Sequence, residues 1–228
     1  METKKTKVYN LIILDKSGSM LDVRKAAVDG YNETIGSIKA AQLKYFDTQE
    51  HFISLAVFCG CGVEMVYDCT PIKDAEKLTK EQYAPCCMTP LYDAIGQSVQ
   101  RIAKVADAED DAAVLVTIIT DGMENASKEW TGPAIKKLID ERKEEGWMFS
   151  YIGADHDVES VAANISITNV VVWEKSEVGT EDMFHHENNA RGGFFAKMHK
   201  RFNAFLSAEE KKAMRKQFSQ EYYDEDEF

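Results

Sequence analysis

An apolar run near the amino terminus, residues 8–14, is followed at once by Asp15-Lys16-Ser17-Gly18-Ser19. A run of this length and composition predicts a buried strand. That strand delivers one carboxylate and two hydroxyls to a turn at its carboxyl end, and Gly18 allows the turn to be tight. Hard oxygen ligands on one short loop are typical of Mg²⁺ or Ca²⁺ sites and not of sites for soft metals. An ordinary turn, in which Asp and Ser bond backbone groups, is the alternative interpretation.

Strand patterns alternate with helical patterns along most of the chain. Further strands are predicted at residues 52–58, 63–67, 112–120, 147–152 and 170–173, and helices at 22–45, 91–105, after Pro133 and at 155–163. This alternation predicts an α/β fold with a doubly wound, mostly parallel sheet and right-handed crossovers. The segment 63–67 follows a glycine-containing turn, so we expect it to form a hairpin and an antiparallel edge strand.

Two later segments strengthen the interpretation of the first loop. The pattern D-x-S-x-S at residues 15–19 resembles the metal-ion-dependent adhesion site of von Willebrand factor A domains, and Thr89-Pro90-Leu91-Tyr92-Asp93 and Ile118-Ile119-Thr120-Asp121-Gly122 resemble the second and third loops of that site. The resemblance covers roughly residues 5–175 and is closest to stand-alone cytosolic proteins of the bacterial type. It implies a Rossmann-like sheet of six strands in the order 3-2-1-4-5-6, with the third strand antiparallel.

The resemblance also implies a ligand set for one divalent ion. Ser17, Ser19 and Thr89 would bind the ion directly, and Asp15 and Asp121 would complete its shell. The ion implied is Mg²⁺, with Mn²⁺ or Ca²⁺ as alternatives. The two aspartates end the first and fourth strands, which flank the point where open α/β sheets bind ligands, so we expect them to converge.

In the family, an Asp or Glu of a partner protein takes an open position on the ion. The sequence therefore favours a divalent-metal-dependent protein–protein interaction module that binds an acidic partner residue. Such modules often work beside an ATPase or within a multiprotein complex. This chain has no ATPase motif, so any such motor would be a separate protein.

We predict no catalytic residues, because the sequence has no nucleophile elbow, Walker loop or complete dinucleotide-binding motif. A metal-dependent hydrolase or phosphotransferase is the alternative, with Asp155 or His156 as a base on the rim that carries the metal loops. We favour a helix start at Asp155, with His156 and Asp157 on the surface. His185-His186-Glu187 is a further possible metal ligand set, in a polar stretch that we predict to be exposed.

The bulk composition narrows the function classes. A formal charge of -12 over 228 residues disfavours nucleic-acid binding, which needs Lys and Arg at the phosphates. RNA binding, known for some proteins with this domain, stays as a second alternative. No apolar run reaches the roughly 18 residues of a membrane span, and no signal peptide is visible, so we expect a cytoplasmic protein.

The chain has five cysteines and no C-x-x-C pair. An odd number favours a reducing compartment over a disulfide framework. We favour buried cysteines acting as small hydrophobes, with a zinc cluster as the alternative. Cys86-Cys87-Met88 stands where relatives often have glycines before the threonine. Either these side chains form an apolar rim that suits a protein partner, or they point inward, which we favour.

The last quarter of the chain is predicted as an appendage. Residues 176–193 are polar and glycine-bearing and indicate a linker or irregular segment. Residues 194–220 predict two helices, the second opening with a capping box at Ser207, and residues 221–228 predict a solvated acidic tail. An aromatic stripe runs along the first helix, at Phe194, Met198, Phe202 and Phe205. We favour docking of this stripe on the domain itself; a groove on another protein and a membrane surface are the alternatives.

Overall fold

The computed structural model describes residues 5–154, 157–202 and 206–224. These residues form six strands and six α-helices, and short 3₁₀ helices occupy Gly18–Val23 and Ile72–Asp74. The elements are β1 (Thr6–Asp15), α1 (Arg24–Lys44), β2 (Gln49–Cys59), β3 (Gly62–Pro71), α2 (Leu91–Ala106), β4 (Ala112–Thr120), α3 (Gly132–Glu144), β5 (Met148–Gly153), α4 (Val158–Asn164), β6 (Asn169–Val172), α5 (Glu177–Arg201) and α6 (Ala208–Gln220).

The strands form one sheet in the order β3-β2-β1-β4-β5-β6. The β2–β3 pair is antiparallel, and the other four pairs are parallel. The predicted fold class and strand order are therefore confirmed. In the register of the two central pairs, Leu14 of β1 lies between Val57 of β2 and Ile119 of β4. The carboxyl ends of these three strands consequently meet at one edge of the sheet.

Both faces of the sheet are covered by helices. Alternate residues of β1 enter two separate apolar cores: Val8, Ile12 and Leu14 face α1, α5 and α6, whereas Leu11 and Ile13 face α2, α3 and α4. Because both faces of the sheet are buried, the sequences of β1 and β4 are apolar along most of their length and do not alternate between apolar and polar residues.

The prediction of a linker at residues 176–193 is wrong. This segment is the first two thirds of α5, a helix of 25 residues that begins after Ser176, whose side chain accepts a hydrogen bond from the Gly179 backbone. Two of its charged residues are removed from solvent, because Glu187 and Arg191 are 1% and 2% exposed and pair with each other beneath the helix. Gly30 of α1 allows the close approach, since a Cβ there would lie 2.1 Å from the Phe184 ring.

The appendage docks on the domain, as favoured from its stripe. Phe194, Met198 and Phe218 are buried in the core formed with α1 and the sheet. Phe205, the last member of the predicted stripe, lies outside the described residues. The capping box at Ser207 is present, with the Ser207 side chain accepting from the Glu210 backbone and the Glu210 carboxylate accepting from the Ser207 backbone.

The acidic tail is only partly as predicted. Tyr222 is 4% exposed, and its hydroxyl donates to Glu187 Oε1 at 2.9 Å, while Tyr223 donates to Glu187 Oε2 at 2.6 Å. The tail therefore begins as a packed segment, because its tyrosines satisfy a buried carboxylate. Residues 225–228 lie outside the described part of the chain. No helix in the described part is both long enough and apolar enough to cross a membrane.

Candidate metal centre

The three predicted loops meet at the carboxyl edge of the sheet. Asp15 is the last residue of β1 and Asp121 directly follows β4, its parallel neighbour. Asp15, Ser17, Thr89 and Asp121 are all less than 5% exposed, whereas Ser19 is exposed. Residues from three distant parts of the sequence thus form one cluster of oxygen atoms that opens to solvent at Ser19.

Both oxygens of Asp15 are held by its neighbours. Oδ1 accepts a hydrogen bond of 2.6 Å from the Ser17 backbone N–H, and Oδ2 accepts one of 2.6 Å from the Thr120 hydroxyl. Burial raises the pKa of Asp15 from 3.8 to about 6, and the hydrogen bonds from Thr120 and Ser17 oppose this shift. A cation beside this carboxylate would offset the unfavourable burial of its charge.

The two serines connect the first loop to the third. Ser17 Oγ lies 3.1 Å from Ser19 Oγ, and Ser19 Oγ donates to Asp121 Oδ1 at 2.7 Å. The chain of polar atoms therefore runs from the buried floor of the site to its exposed mouth.

Thr89 is brought against the third loop by a reciprocal pair of hydrogen bonds. Its backbone N–H donates to Asn125 Oδ1 at 2.9 Å, and the Asn125 N–H donates to the Thr89 carbonyl at 3.1 Å. A Cβ placed on Gly122 would lie 3.2 Å from Thr89 Oγ1. The hydroxyl thus lies beside the backbone that follows Asp121, and the glycine leaves room for it.

The second oxygen of Asp121 indicates what the cluster can bind. Asp121 Oδ2 is buried and accepts no hydrogen bond from any described residue. Lys175, which follows β6, places its ammonium nitrogen 2.7 Å from this atom, an ion-pair contact without hydrogen-bond geometry. The ion pair compensates the charge of this buried oxygen, and it shows that the position beside Oδ2 accepts a positive group. The donor set, two carboxylates and three hydroxyls, fits a hard divalent cation.

Two further carboxylates brace the loops and were not predicted to do so. Asp93 accepts hydrogen bonds of 2.8, 3.0 and 2.8 Å from the backbone N–H groups of residues 128–130. Glu124 accepts from the Tyr92 backbone N–H at 2.9 Å, at the start of α2. Both acidic residues were visible in the sequence, Asp93 at a helix start and Glu124 beside the third motif. No local pattern indicated that Asp93 would bind the segment after the third motif, or that Glu124 would bind the segment that contains Asp93.

The rim of the site is apolar. Leu21, Met88 and Met123 are 57%, 57% and 60% exposed, and each lies within two residues of a predicted ligand. The expectation that Met88 points inward is therefore wrong, because the interior beneath the loops is already filled by the polar cluster and by Tyr83, whose hydroxyl donates to the Asp15 carbonyl.

The other candidate residues do not join this cluster within the described chain. Asp155 and His156, the bases of the alternative hydrolase, lie outside the described residues. The helix start was expected at Asp155, but the capping residue is Asp157, which accepts from the Ser160 backbone at 3.2 Å. His185 is exposed and 3.8 Å from Glu33, and Glu187 is buried elsewhere; the two do not form a metal site together.

The cysteines also differ from the favoured interpretation. Only Cys59 is buried; Cys61 and Cys87 are exposed, and Cys69 and Cys86 are half-buried. Four of them lie together beside the second loop, so they do not act simply as small core hydrophobes.

The fold matches known structures, although the sequence does not match known families. No protein-family model matches the chain, and no curated protein is significantly similar to it. A von Willebrand factor type A protein from Catenulispora acidiphila matches with a TM-score of 0.57 and 17% identity, over 83% of this chain and 43% of that one. Proximal thread matrix protein 1 from the mussel byssus, solved with zinc in its MIDAS motif, matches with a TM-score of 0.58 and 16% identity, over 79% and 47%.

A more distant match is the manganese-loaded TRAP protein of Plasmodium vivax, with a TM-score of 0.50 and 14% identity, over 80% of this chain and 73% of that one. This chain spans less than half the length of the Catenulispora and mussel proteins. At such low identity the matches establish the fold, and the fold predicted from the three motifs is confirmed: it is that of von Willebrand factor A domains.

Proposed function

We propose that this chain, which has the von Willebrand factor A fold, is a protein–protein interaction module that binds an acidic residue of its partner through Mg²⁺. The observation that most directly supports the proposal is Asp121 Oδ2, a buried carboxylate oxygen that lacks a hydrogen bond among the described residues and faces a cation. Removing such an atom from water is unfavourable unless a positive charge compensates it. In the metal-free chain Lys175 supplies that charge at 2.7 Å, and the ion would take over this role when bound.

The hydrogen bonds indicate which residues would bind the ion and which would orient the loop. Both oxygens of Asp15 are engaged with Ser17 and Thr120, so Asp15 acts mainly by orienting the loop and supplying charge. Ser17, Ser19, Thr89 and Asp121 would hold the ion. When bound, Mg²⁺ would keep a coordination position that a carboxylate from outside can take.

The rim favours a protein as the source of that carboxylate. Leu21, Met88 and Met123 surround the mouth of the site with exposed apolar side chains. Methionine adapts to irregular apolar surfaces, and exposed apolar groups around a polar centre are typical of interaction sites. A small anion would leave these side chains in water, whereas a protein would cover them.

We further propose that the module is not an enzyme, that it is cytoplasmic, and that any ATPase it serves is a separate protein. The five free thiols of the described cysteines are in keeping with a reducing compartment. The hydrolase alternative depends on Asp155 and His156, outside the described residues, and the net charge of -12 disfavours the RNA alternative.

The first experiment tests the ion. Isothermal titration of Mg²⁺ and of Mn²⁺ into the wild-type chain should show one site, and Ser19→Ala should weaken it by about tenfold or more, because an exposed ligand is lost without disturbing the core. Ser37→Ala on α1 is the matched control and should bind like wild type. Equal binding by wild type and Ser19→Ala would refute the assigned site.

The second experiment tests the partner. Proteins captured with Mg²⁺ and released by EDTA are identified by mass spectrometry, and each candidate is then purified and titrated directly. The proposal requires that binding is lost without Mg²⁺, with Ser19→Ala, and when one Asp or Glu of the partner is changed to its amide. Binding that survives all three changes would contradict metal-bridged recognition.

A further inference from the structure

Four of the five cysteines lie together next to the oxygen cluster. Cys59 ends β2 and Cys61 lies in the turn to β3, while Cys86 and Cys87 precede Thr89 in the second loop. Cys59 Sγ is 3.3 Å from Cys86 Sγ, Cys61 Sγ is 3.4 Å from Cys87 Sγ, and Cys61 Sγ is 3.9 Å from Cys86 Sγ. The sulfur atoms of Cys59, Cys61 and Cys86 all lie within 4.8 Å of one another.

These distances match a tetrahedral site. Four thiolates at about 2.3 Å from one zinc ion are about 3.8 Å apart. The observed separations of 3.3 to 3.9 Å lie close to that spacing, whereas a disulfide needs about 2.05 Å. Three thiols, those of Cys59, Cys61 and Cys86, are already grouped as ligands of one ion would be. Cys87, whose sulfur contacts that of Cys61, would complete the four by turning toward the other two.

The backbone is arranged to bring the two segments together. A Cβ on Gly60 would lie 3.1 Å from Cys87 Cβ and 3.1 Å from the Met88 nitrogen, so only glycine allows this approach without displacement. Cys87 has a φ of 60°, in the left-handed region that few residues other than glycine adopt. The Gly18 N–H donates to the Cys87 carbonyl at 3.1 Å, which fixes the loop against the first motif.

We propose that Cys59, Cys61, Cys86 and Cys87 bind one Zn²⁺ ion as thiolates, in a structural site separate from the oxygen cluster. Binding forms four Zn–S bonds, and the four thiols release their protons to solvent. Thiolates select soft ions and hydroxyls and carboxylates select hard ones, so the two neighbouring sites take different metals. The zinc ion would join the second loop to the end of β2, two residues before Thr89.

Zinc content and cobalt substitution test the proposal on the full chain. Protein purified under reducing conditions should contain about one zinc per chain. Cys61→Ser and Cys87→Ser, which change exposed side chains, should each lower zinc affinity more than about tenfold. Cys69→Ser is the matched control and should retain zinc, because Cys69 lies apart from the cluster and contacts Ser54.

Replacement of zinc by Co²⁺ in the wild-type chain gives a readout that needs no variant. The proposal expects the strong visible bands and the thiolate charge-transfer absorption of a tetrahedral sulfur site. The absence of these bands in folded, reduced protein would overturn the proposal. Mass spectrometry that finds Cys59–Cys86 and Cys61–Cys87 disulfides in protein kept reducing throughout would also overturn it, in favour of a redox pair.

Discussion

Two buried carboxylates, Glu187 and Asp121, differ in how many hydrogen bonds their oxygen atoms accept. Glu187 lies under α5, where Thr117, Arg191 and Tyr222 donate to its Oε1 at 2.7, 2.9 and 2.9 Å and Tyr223 donates to its Oε2. Asp121 lies at the edge of the sheet, where Oδ1 accepts from Ser19 and Oδ2 accepts no hydrogen bond from a described residue.

The difference separates a structural charge from a binding charge. The donors to Glu187 come from β4, α5 and the segment after α6, so its hydrogen bonds depend on the whole fold. Both of its oxygen atoms are occupied, and neither is open to a ligand. Asp121 has a lysine beside it and an exposed serine next to it, so a ligand can complete its surroundings. Buried charges are retained where they are paired, and at Asp121 the described protein supplies only part of the pairing.

The largest expected effect is on the satisfied carboxylate. Glu187→Gln should lower the free energy of unfolding by about 3–5 kcal/mol, because it leaves the buried Arg191 without its counter-charge and turns an amide NH₂ toward groups that donate. Urea denaturation measures this loss. If Glu187 is purely structural, the loss is the same with and without added Mg²⁺.

The control for Glu187→Gln is an exposed pair of the same type. Lys25 and Asp29 pair at 3.0 Å on α1 with side chains 56% and 52% exposed. Asp29→Asn should change stability by no more than about 0.5 kcal/mol. A small effect at Glu187 would mean that the network beneath α5 is not what stabilises the appendage.

The next effect concerns Asp121, and its size depends on the metal. Asp121→Asn should destabilise the metal-free chain by about 1–3 kcal/mol, because it removes the counter-charge from Lys175, whose side chain is only 16% exposed. At a Mg²⁺ concentration 100 times the dissociation constant, wild type should gain about 2.7 kcal/mol and Asp121→Asn should gain none. An equal gain in both would place the ion elsewhere.

The same contrast explains which parts were predictable from the sequence. Asp15, Ser17, Ser19 and Asp121 were predictable because apolar runs define where β1 and β4 end, and parallel strands carry their ends to one edge. The Thr89 loop was found only by resemblance to a family motif. The fold class and the second helix of the appendage followed from patterns that depend on neighbours in the sequence, whereas the strand order was implied only by the family resemblance.

The errors were in residues whose role depends on distant partners. Glu187 and Arg191 made residues 176–193 look like a linker, since a polar segment is ordinarily solvated; their burial requires Thr117 and Tyr222 from other elements. Lys175 reaches Asp121 because β6 ends at the same edge as β4, and no local pattern indicates this. The cysteine cluster likewise appears only when the β2–β3 turn meets the second loop.

His51 is an exception to the contrast between Glu187 and Asp121. It lies on the face of the sheet that α5 covers, yet one of its ring nitrogen atoms lacks a hydrogen-bond partner among the described residues. His51 is 1% exposed and packs edge-on against Phe195 at 4.5 Å, and its Nδ1 has no hydrogen-bond partner among the described residues. Burial lowers the pKa of His51 from 6.5 to about 3. Between these values the unfolded chain binds a proton and the folded chain does not.

Stability should therefore be complete above about pH 7 and should fall as the pH drops from 6.5 toward 3. The expected contribution of His51 at pH 5 is a loss of about 2 kcal/mol relative to pH 7.5. Urea denaturation of wild type and His51→Gln at both pH values measures it as a difference of differences. Parallel pH dependence in the two proteins would show that the imidazole is solvated or finds a partner on protonation.

The smallest expected effect is at Lys175, whose ammonium occupies the place beside Asp121 Oδ2 where a divalent ion would compensate the charge. Lys175→Met should destabilise the metal-free chain by about 1 kcal/mol, because Asp121 loses its only described counter-charge. The metal-bound chain should be unaffected, since the ion and the ammonium compete for one oxygen. By linkage the affinity for Mg²⁺ or Mn²⁺ should then rise by up to about tenfold.

Isothermal titration measures the affinity, and Lys16→Met is the control, because Lys16 adjoins the first motif but pairs with Glu64 at 3.1 Å. If Lys175→Met binds metal no better than Lys16→Met does, the lysine is an ordinary structural partner, and the contrast between Asp121 and Glu187 becomes one of degree.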